Sequence, residues 1–216
     1  MKLTFMSVHH ALIALTLLCA ADIARSQTLD WGSLTQSTIV DSQGDPLDTA
    51  FLFQLGTFGV GFTPNQSNLG EWATNWHVFD SASYSYDPDS LGYFTATEDV
   101  QNVTGYASTF QGLQAYLWIR DTADTEYFLA SAGSWMFPQL DPECCPTGAV
   151  TQWSVSAFGT NDPIWGSQLD NHGGGTYDGS GGPYDLQTHV VPEAGSSLLA
   201  LLGGSLALVR RRRSMV

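Results

Sequence analysis

Between Gln27 and His189 no stretch keeps apolar residues at helical spacing for three turns, which confines this part of the chain to extended structure. What recurs instead is alternation of apolar and polar residues over short runs, punctuated by glycine and by clusters of Ser, Thr, Asn and Asp. Residues 50–55, 72–79, 93–97, 115–120, 126–130, 150–157 and 186–190 read as strands, each bounded by turn signals. Seven or more short strands predict an all-β domain, an antiparallel β-sandwich of jelly-roll kind. The firmest element is AYLWIRDTADTEYFLA. Its two β-rich halves flank Asp121-Thr122-Ala123-Asp124-Thr125, a hairpin with a five-residue loop. The segment NDPIWGSQLDNHGGGTYDGSGGPYDL is so rich in Gly and Asp that it reads as a long surface loop.

The rings to fill such a domain are present. All seven Trp, all eight Tyr and ten of the eleven Phe fall in this stretch, enough to pack two sheets with few aliphatic residues. If 72–79 is a strand, Trp72, Thr74, Trp76 and Val78 share one face. Tyr116, Trp118 and Arg120 share another. Core packing is the commoner use of such rings and is expected here; a sugar-stacking platform is the alternative use.

Charge excludes one class of partner. The formal net charge is −14, yet the seven basic residues include Lys2, Arg25, Arg210, Arg211, Arg212 and Arg213, so Arg120 stands alone against 19 acids between Gln27 and His189. Nucleic-acid binding rests on neutralising phosphates and has no basis in this surface.

Catalytic signatures are missing. The glutamates Glu71, Glu98, Glu126 and Glu143 sit in no motif that sets a pair of facing carboxylates. No Gly-x-Ser-x-Gly turn occurs, and His77, His172 and His189 match no zinc spacing. His77, in TNWHVF, reads as a partly buried strand residue. The expectation is a protein that is not an enzyme and carries no cofactor, with calcium the one ion its acids leave open. Asp121, Asp124 and Glu126 form one candidate set for calcium and Asp162, Asp170, Asp178 and Asp185 another, though neither fits an EF-hand loop and solvated turn acids are the simpler reading. Arg120 is expected to pair with Glu126 across the hairpin.

The ends carry a different message. Residues 1–26, MKLTFMSVHHALIALTLLCAADIARS, have a basic start, an apolar run and small residues near the end, the layout of a secretory signal peptide. Its removal takes Cys19 away and leaves Cys144 and Cys145 side by side in DPECCPTG. Neighbouring Cα atoms lie ~3.8 Å apart, closer than a relaxed disulfide spans, so a strained vicinal disulfide is the leading state in an oxidising compartment, ahead of free thiols or bridges to another chain. At the other end, residues 194–209 carry no charge and are rich in Leu and Ala. As a helix this run rises ~24 Å against a ~30 Å hydrocarbon core, a marginal transmembrane span. Arg210, Arg211, Arg212 and Arg213 behind it keep the tip in the cytoplasm and the acidic domain outside.

Val191-Pro192-Glu193-Ala194, the apolar run and the terminal arginines together resemble the PEP-CTERM sorting signal of Gram-negative bacteria, with alanine at 194 where the usual motif has a second proline. The resemblance covers residues 190–216 and implies export through the inner membrane, a transient membrane anchor, and processing by an exosortase that delivers the protein to the cell surface or extracellular matrix. It assigns no activity to residues 27–189. A structural or adhesive role, with extracellular polysaccharide as a candidate partner, is the expectation for that domain; a carbohydrate-binding module or glycan hydrolase is the alternative.

Overall fold

A computed structural model describes residues 27–35, 37–87, 90–140, 149–168 and 184–192. Residues 1–26, read from the sequence as a signal peptide, Cys144 and Cys145, and the segment from Glu193 onward, including Ala194, Arg210, Arg211, Arg212 and Arg213, lie outside the described residues. Among the described residues no helix is long and apolar enough to cross a membrane.

The fold is all-β, with sheets that are mostly antiparallel. Strands β1 (Gln27–Gly32), β2 (Ile39–Val40), β3 (Phe51–Phe58), β4 (Trp76–Ala82), β5 (Tyr84–Asp87), β6 (Ser90–Asp99), β7 (Tyr116–Asp121), β8 (Glu126–Ala130), β9 (Ala149–Ser154), β10 (Pro163–Trp165), β11 (Ser167–Gln168), β12 (Leu186–Gln187) and β13 (His189–Val190) follow one another along the chain. One sheet has the order β5-β6-β1-β9 and a second β10-β8-β7-β3-β4, with β13 beside the other half of β8. A small third sheet runs β11-β12-β2. Two pairings, β1 with β9 and β12 with β2, are parallel.

Alternation along the central strands explains what lies between and outside these sheets. On β7, Leu117 and Ile119 point to one side and Trp118 to the other; on β8, Phe128 and Ala130 oppose Tyr127 and Leu129. The first side meets β1 and β6, where Phe53 packs 4.5 Å from Phe94 and stacks on Tyr84 at 5.1 Å. The Trp31 indole N–H donates to Asp80 Oδ2 at 2.8 Å and ties β1 to β4. Farther along, Trp135 lies parallel to Trp153 at 5.4 Å and against Phe158 at 4.7 Å, closing that end of the core. Gln114 holds the segment that presents Trp135, its amide donating to Ala132 O and Trp135 O at 2.8 and 2.7 Å.

The second side of β7 and β8 is covered as well, by a device the alternation pattern does not reveal. Residues 72–79 are not one strand. A 3-10 turn, Leu69–Glu71, runs into a single helical turn, Trp72–Asn75, and only Trp76 begins β4. Leu69, Trp72 and Trp76 are spaced three and four apart, which is helical spacing, and all three pack on the outer cluster. Asn68 accepts from the Trp72 indole N–H at 2.8 Å, and Asn75 donates to Glu71 O at 2.9 Å. Trp72 therefore stands edge-on to Trp118 at 6.0 Å and beside Tyr127 at 6.2 Å instead of sharing a strand face with Trp76. Gly56 permits the close seat of Trp76, because a Cβ there would lie 2.6 Å from the indole ring.

Other departures have similar causes. The Gly- and Asp-rich segment expected to be a loop contributes β10 and β11. The run 150–157 stops as a strand at Ser154, whose hydroxyl accepts from Ser156 N and turns the chain into a 3-10 helix, Val155–Ala157. The hairpin forms as predicted, except that Asp121 belongs to β7 and Asp124 takes the left-handed conformation at φ 57°.

Truncating Phe53, fully buried between the two large sheets, removes contacts to both of them. Phe53→Ala is expected to lower unfolding free energy by about 3–5 kcal/mol, measured by equilibrium denaturation with an unchanged slope.

Candidate functional site

The described chain ends in a network that fixes its last residues on the domain. Leu186 and Gln187 (β12) run parallel to Ile39 and Val40. Thr188 is buried, its N–H donating to Val40 O at 3.0 Å and its hydroxyl to Glu126 Oε2 at 2.7 Å. His189 and Val190 (β13) then pair with Tyr127 and Glu126 of the hairpin. The Val191 N–H donates to Thr125 O at 2.7 Å. The Trp165 indole N–H holds the same strand through His189 O at 3.0 Å. Pro192, next along, is exposed. Val191 and Pro192 are thus placed at the rim of the domain; Glu193 and Ala194 of the same motif are outside the described residues.

Two carboxylates organise this rim. Glu126 accepts from Ser42 N–H, the Ser42 hydroxyl and the Thr188 hydroxyl, which joins the hairpin, the turn after β2 and the last strands. Asp121 accepts from Thr125 N–H at 2.6 Å, the Thr125 hydroxyl at 2.7 Å and Glu126 N–H at 2.9 Å, closing the loop on itself. Burial pushes the Asp121 carboxyl up, but the hydrogen bonds from Glu126, Thr125 and Ala123 together outweigh it and hold the group below its ordinary value of 3.8.

Arg120 does not pair with Glu126, as cross-strand proximity had suggested; it binds Asp124 at 2.8 Å, four residues on, and lies over the Trp118 ring at 5.2 Å. The left-handed Asp124 turns its carboxylate back toward Arg120, while Glu126 is taken by Ser42 and Thr188. Asp121, Asp124 and Glu126 each serve a different set of donors, so this calcium set is not assembled. Of the second set, Asp162 accepts from Gly159 N–H at 2.8 Å and Asp185 from Thr38 N–H at 2.7 Å, while Asp170 and Asp178 lie outside the described residues. Among the described residues no three His, Cys, Asp or Glu side chains are grouped as metal ligands. His77 is exposed on β4, not partly buried, because it lies on the sheet edge opposite Thr57.

One cluster had no sequence signal. Ser167 Oγ lies 2.7 Å from the Tyr184 hydroxyl and 3.2 Å from His189 Nε2. Gly166, at φ 87°, makes the turn that brings Ser167 there; a Cβ at Gly166 would lie 2.6 Å from Gln187 O. A serine nucleophile needs a histidine oriented by an acid. Among the described residues no carboxylate hydrogen-bonds to His189, and the cluster fastens β11 to the last strand. No family model matches this chain, and no curated protein or solved structure matches it either.

Glu126→Leu strips the acceptor from the buried Thr188 hydroxyl and from Ser42. Each orphaned group costs about 1–3 kcal/mol. Amide exchange at residues 189–191 is expected to accelerate in this variant while the central β3 and β7 amides keep their protection, read by hydrogen–deuterium exchange with mass spectrometry. Because the Asp121 carboxyl is held below 3.8 in the folded chain, its contribution to stability is present above that pH and is lost as pH falls through the folded value. Asp121→Asn should flatten the acid limb of a stability profile taken between pH 2 and 6, and an unchanged limb would refute the assignment.

Proposed function

We propose that this chain is an exported protein of the cell surface or extracellular matrix, sorted by a PEP-CTERM-type tail and processed by an exosortase. The observation that carries the reading is the position of the motif. Val191 makes a backbone hydrogen bond to the hairpin, and Pro192 beyond it is exposed. A transpeptidase that recognises Pro192 and Glu193 would therefore work immediately outside the folded body. The sequence of the apolar run and of Arg210, Arg211, Arg212 and Arg213 supports a transient anchor with its tip inside.

For the domain itself the proposed role is structural or adhesive and non-catalytic, on a β-sandwich of jelly-roll kind. Support for the sandwich comes from Phe53 of one large sheet packing 4.5 Å from Phe94 of the other. Support for the role comes from how the rings and acids are spent. Trp31, Trp72, Trp118, Trp135 and Trp153 are all at most 6% exposed, so five of the seven indoles are interior packing and not a sugar platform. Asp80, Asp121, Glu126 and Asp185 accept hydrogen bonds that join separate segments or close a turn. The proposed partners are the exosortase, transiently, and the matrix, with extracellular polysaccharide as its candidate component.

Mass spectrometry of the protein recovered from its host tests the sorting claim. The mature chain is expected to lack residues 1–21 at least and to end upstream of Arg210. An intact C-terminus carrying all four arginines would sink it.

A further inference from the structure

Strands β2, β11 and β12 are each two residues long, so the backbone ladder of the third sheet supplies few bonds to hold it together. Side chains must carry much of the junction. Between β12 and β2 they do: the Asp185 carboxylate accepts from Thr38 N–H at 2.7 Å, and Asp185 N–H donates to Thr38 O at 2.7 Å. On β11, Ser167 is tied through its hydroxyl to Tyr184 and His189. Gln168, beside it, is 5% exposed, and its amide oxygen is buried with no hydrogen-bond partner. A buried acceptor without a partner is uncommon in folded proteins, because it forfeits the bonds that water gave it in the unfolded chain.

Gln168 lines a small cavity of about 10 Å³ together with Leu34, Ser37, Val155, Ser156 and Asp185. That is the room one water molecule takes. The lining is polar enough to keep it: two serine hydroxyls, an amide and a carboxylate offer the two to four partners that an interior water requires. Ser37 and Asp185 are buried like Gln168, whereas Leu34 and Ser156 are exposed. The polar groups that most need a partner therefore lie on the inner wall.

From this geometry we infer that the cavity is a binding site for one ordered water, which donates to Gln168 Oε1 and bonds the Ser37 hydroxyl. A bridging water serves nearly as well as a direct hydrogen bond. Gln168 belongs to β11 and Ser37 to the segment that leads into β2, which are the two outer strands of the small sheet. The water is thus a cross-link that spans β12, and β12 is the strand that runs on into Thr188 and β13. The inference rests on the cavity and on Gln168, so it stands or falls separately from the sorting of the tail.

Two measurements on the full chain test it. A high-resolution crystal structure is expected to show one water in the cavity, within hydrogen-bond reach of Gln168 Oε1 and Ser37 Oγ. In thermal unfolding, Gln168→Met, which keeps volume and removes the amide oxygen, and Ser37→Ala are each expected to lower Tm by about 2–4 °C. The double variant should lose clearly less than the two losses added, because one water serves both groups. A dry cavity gives the opposite sign for Gln168→Met, since deleting a buried oxygen that has no partner raises Tm. An empty cavity in the map, a Gln168→Met Tm at or above wild type, or additive losses would overturn the site. If Ser37→Ala fails to fold, the map and Gln168→Met decide.

Discussion

Strand β7 is buried on both faces along its centre. Leu117 and Ile119 face the layer shared with β1 and β6, while Trp118 faces a second layer built by Phe58, Trp72, Tyr127 and Leu129. A strand buried on both faces cannot be a surface strand of a simple two-sheet stack, and the rest of the fold answers to that condition. Residues 69–76 must cross the outer face as a helical turn, Gly56 must leave room for Trp76, and β10 and β13 must share the edge of β8. Large rings suit this task, since each buries about 150–250 Å² and tolerates edge-to-face packing. The cost is visible too: the indole N–H groups of Trp76 and Trp118 are buried without acceptors, a price that the packing of the cluster outweighs.

The acidity of the chain acquires a structural meaning in this frame. Carboxylates are used where a fold with few aliphatic residues needs firm joints. Asp80 reaches between sheets, Glu126 joins the hairpin to the first turn and the last strands, and Asp185 clasps the chain ends of the small third sheet. Each is an acceptor for N–H or O–H donors, so the domain is stitched together with almost no basic residues. The same joints hold β13 and Val191 in place, which connects the stability of the domain to the presentation of the proposed sorting motif.

The hairpin was legible because its signals are local: two β-rich runs, a loop of turn formers, and an aspartate able to adopt positive φ. The burial of the tryptophans was legible from their number and the scarcity of competing apolar residues. Trp72 was misread because a four-residue helical turn offers too short a period to stand out from alternation, although Leu69, Trp72 and Trp76 carried its spacing. Strands β10 and β11 were hidden in a Gly- and Asp-rich segment because their pairing depends on β8 and β12, not on their own propensity. The pairing of Arg120 with Asp124 depended on a single backbone conformation, and the Ser167–His189 contact on a glycine turn meeting a distant strand.

The sequence by itself determined that the domain is all-β, acidic and aromatic-packed, and it alone carries the terminal motifs on which the proposed export and sorting rest, because alternation, charge and short terminal motifs are properties of neighbouring residues. Tertiary structure decided which face each ring occupies, which donors each carboxylate serves, and where Val191 and Pro192 stand relative to the folded body. Those outcomes depend on residues far apart in the chain, such as Thr38 with Asp185 or Ser42 with Glu126. Only the closing of the fold brings such residues within reach of a hydrogen bond.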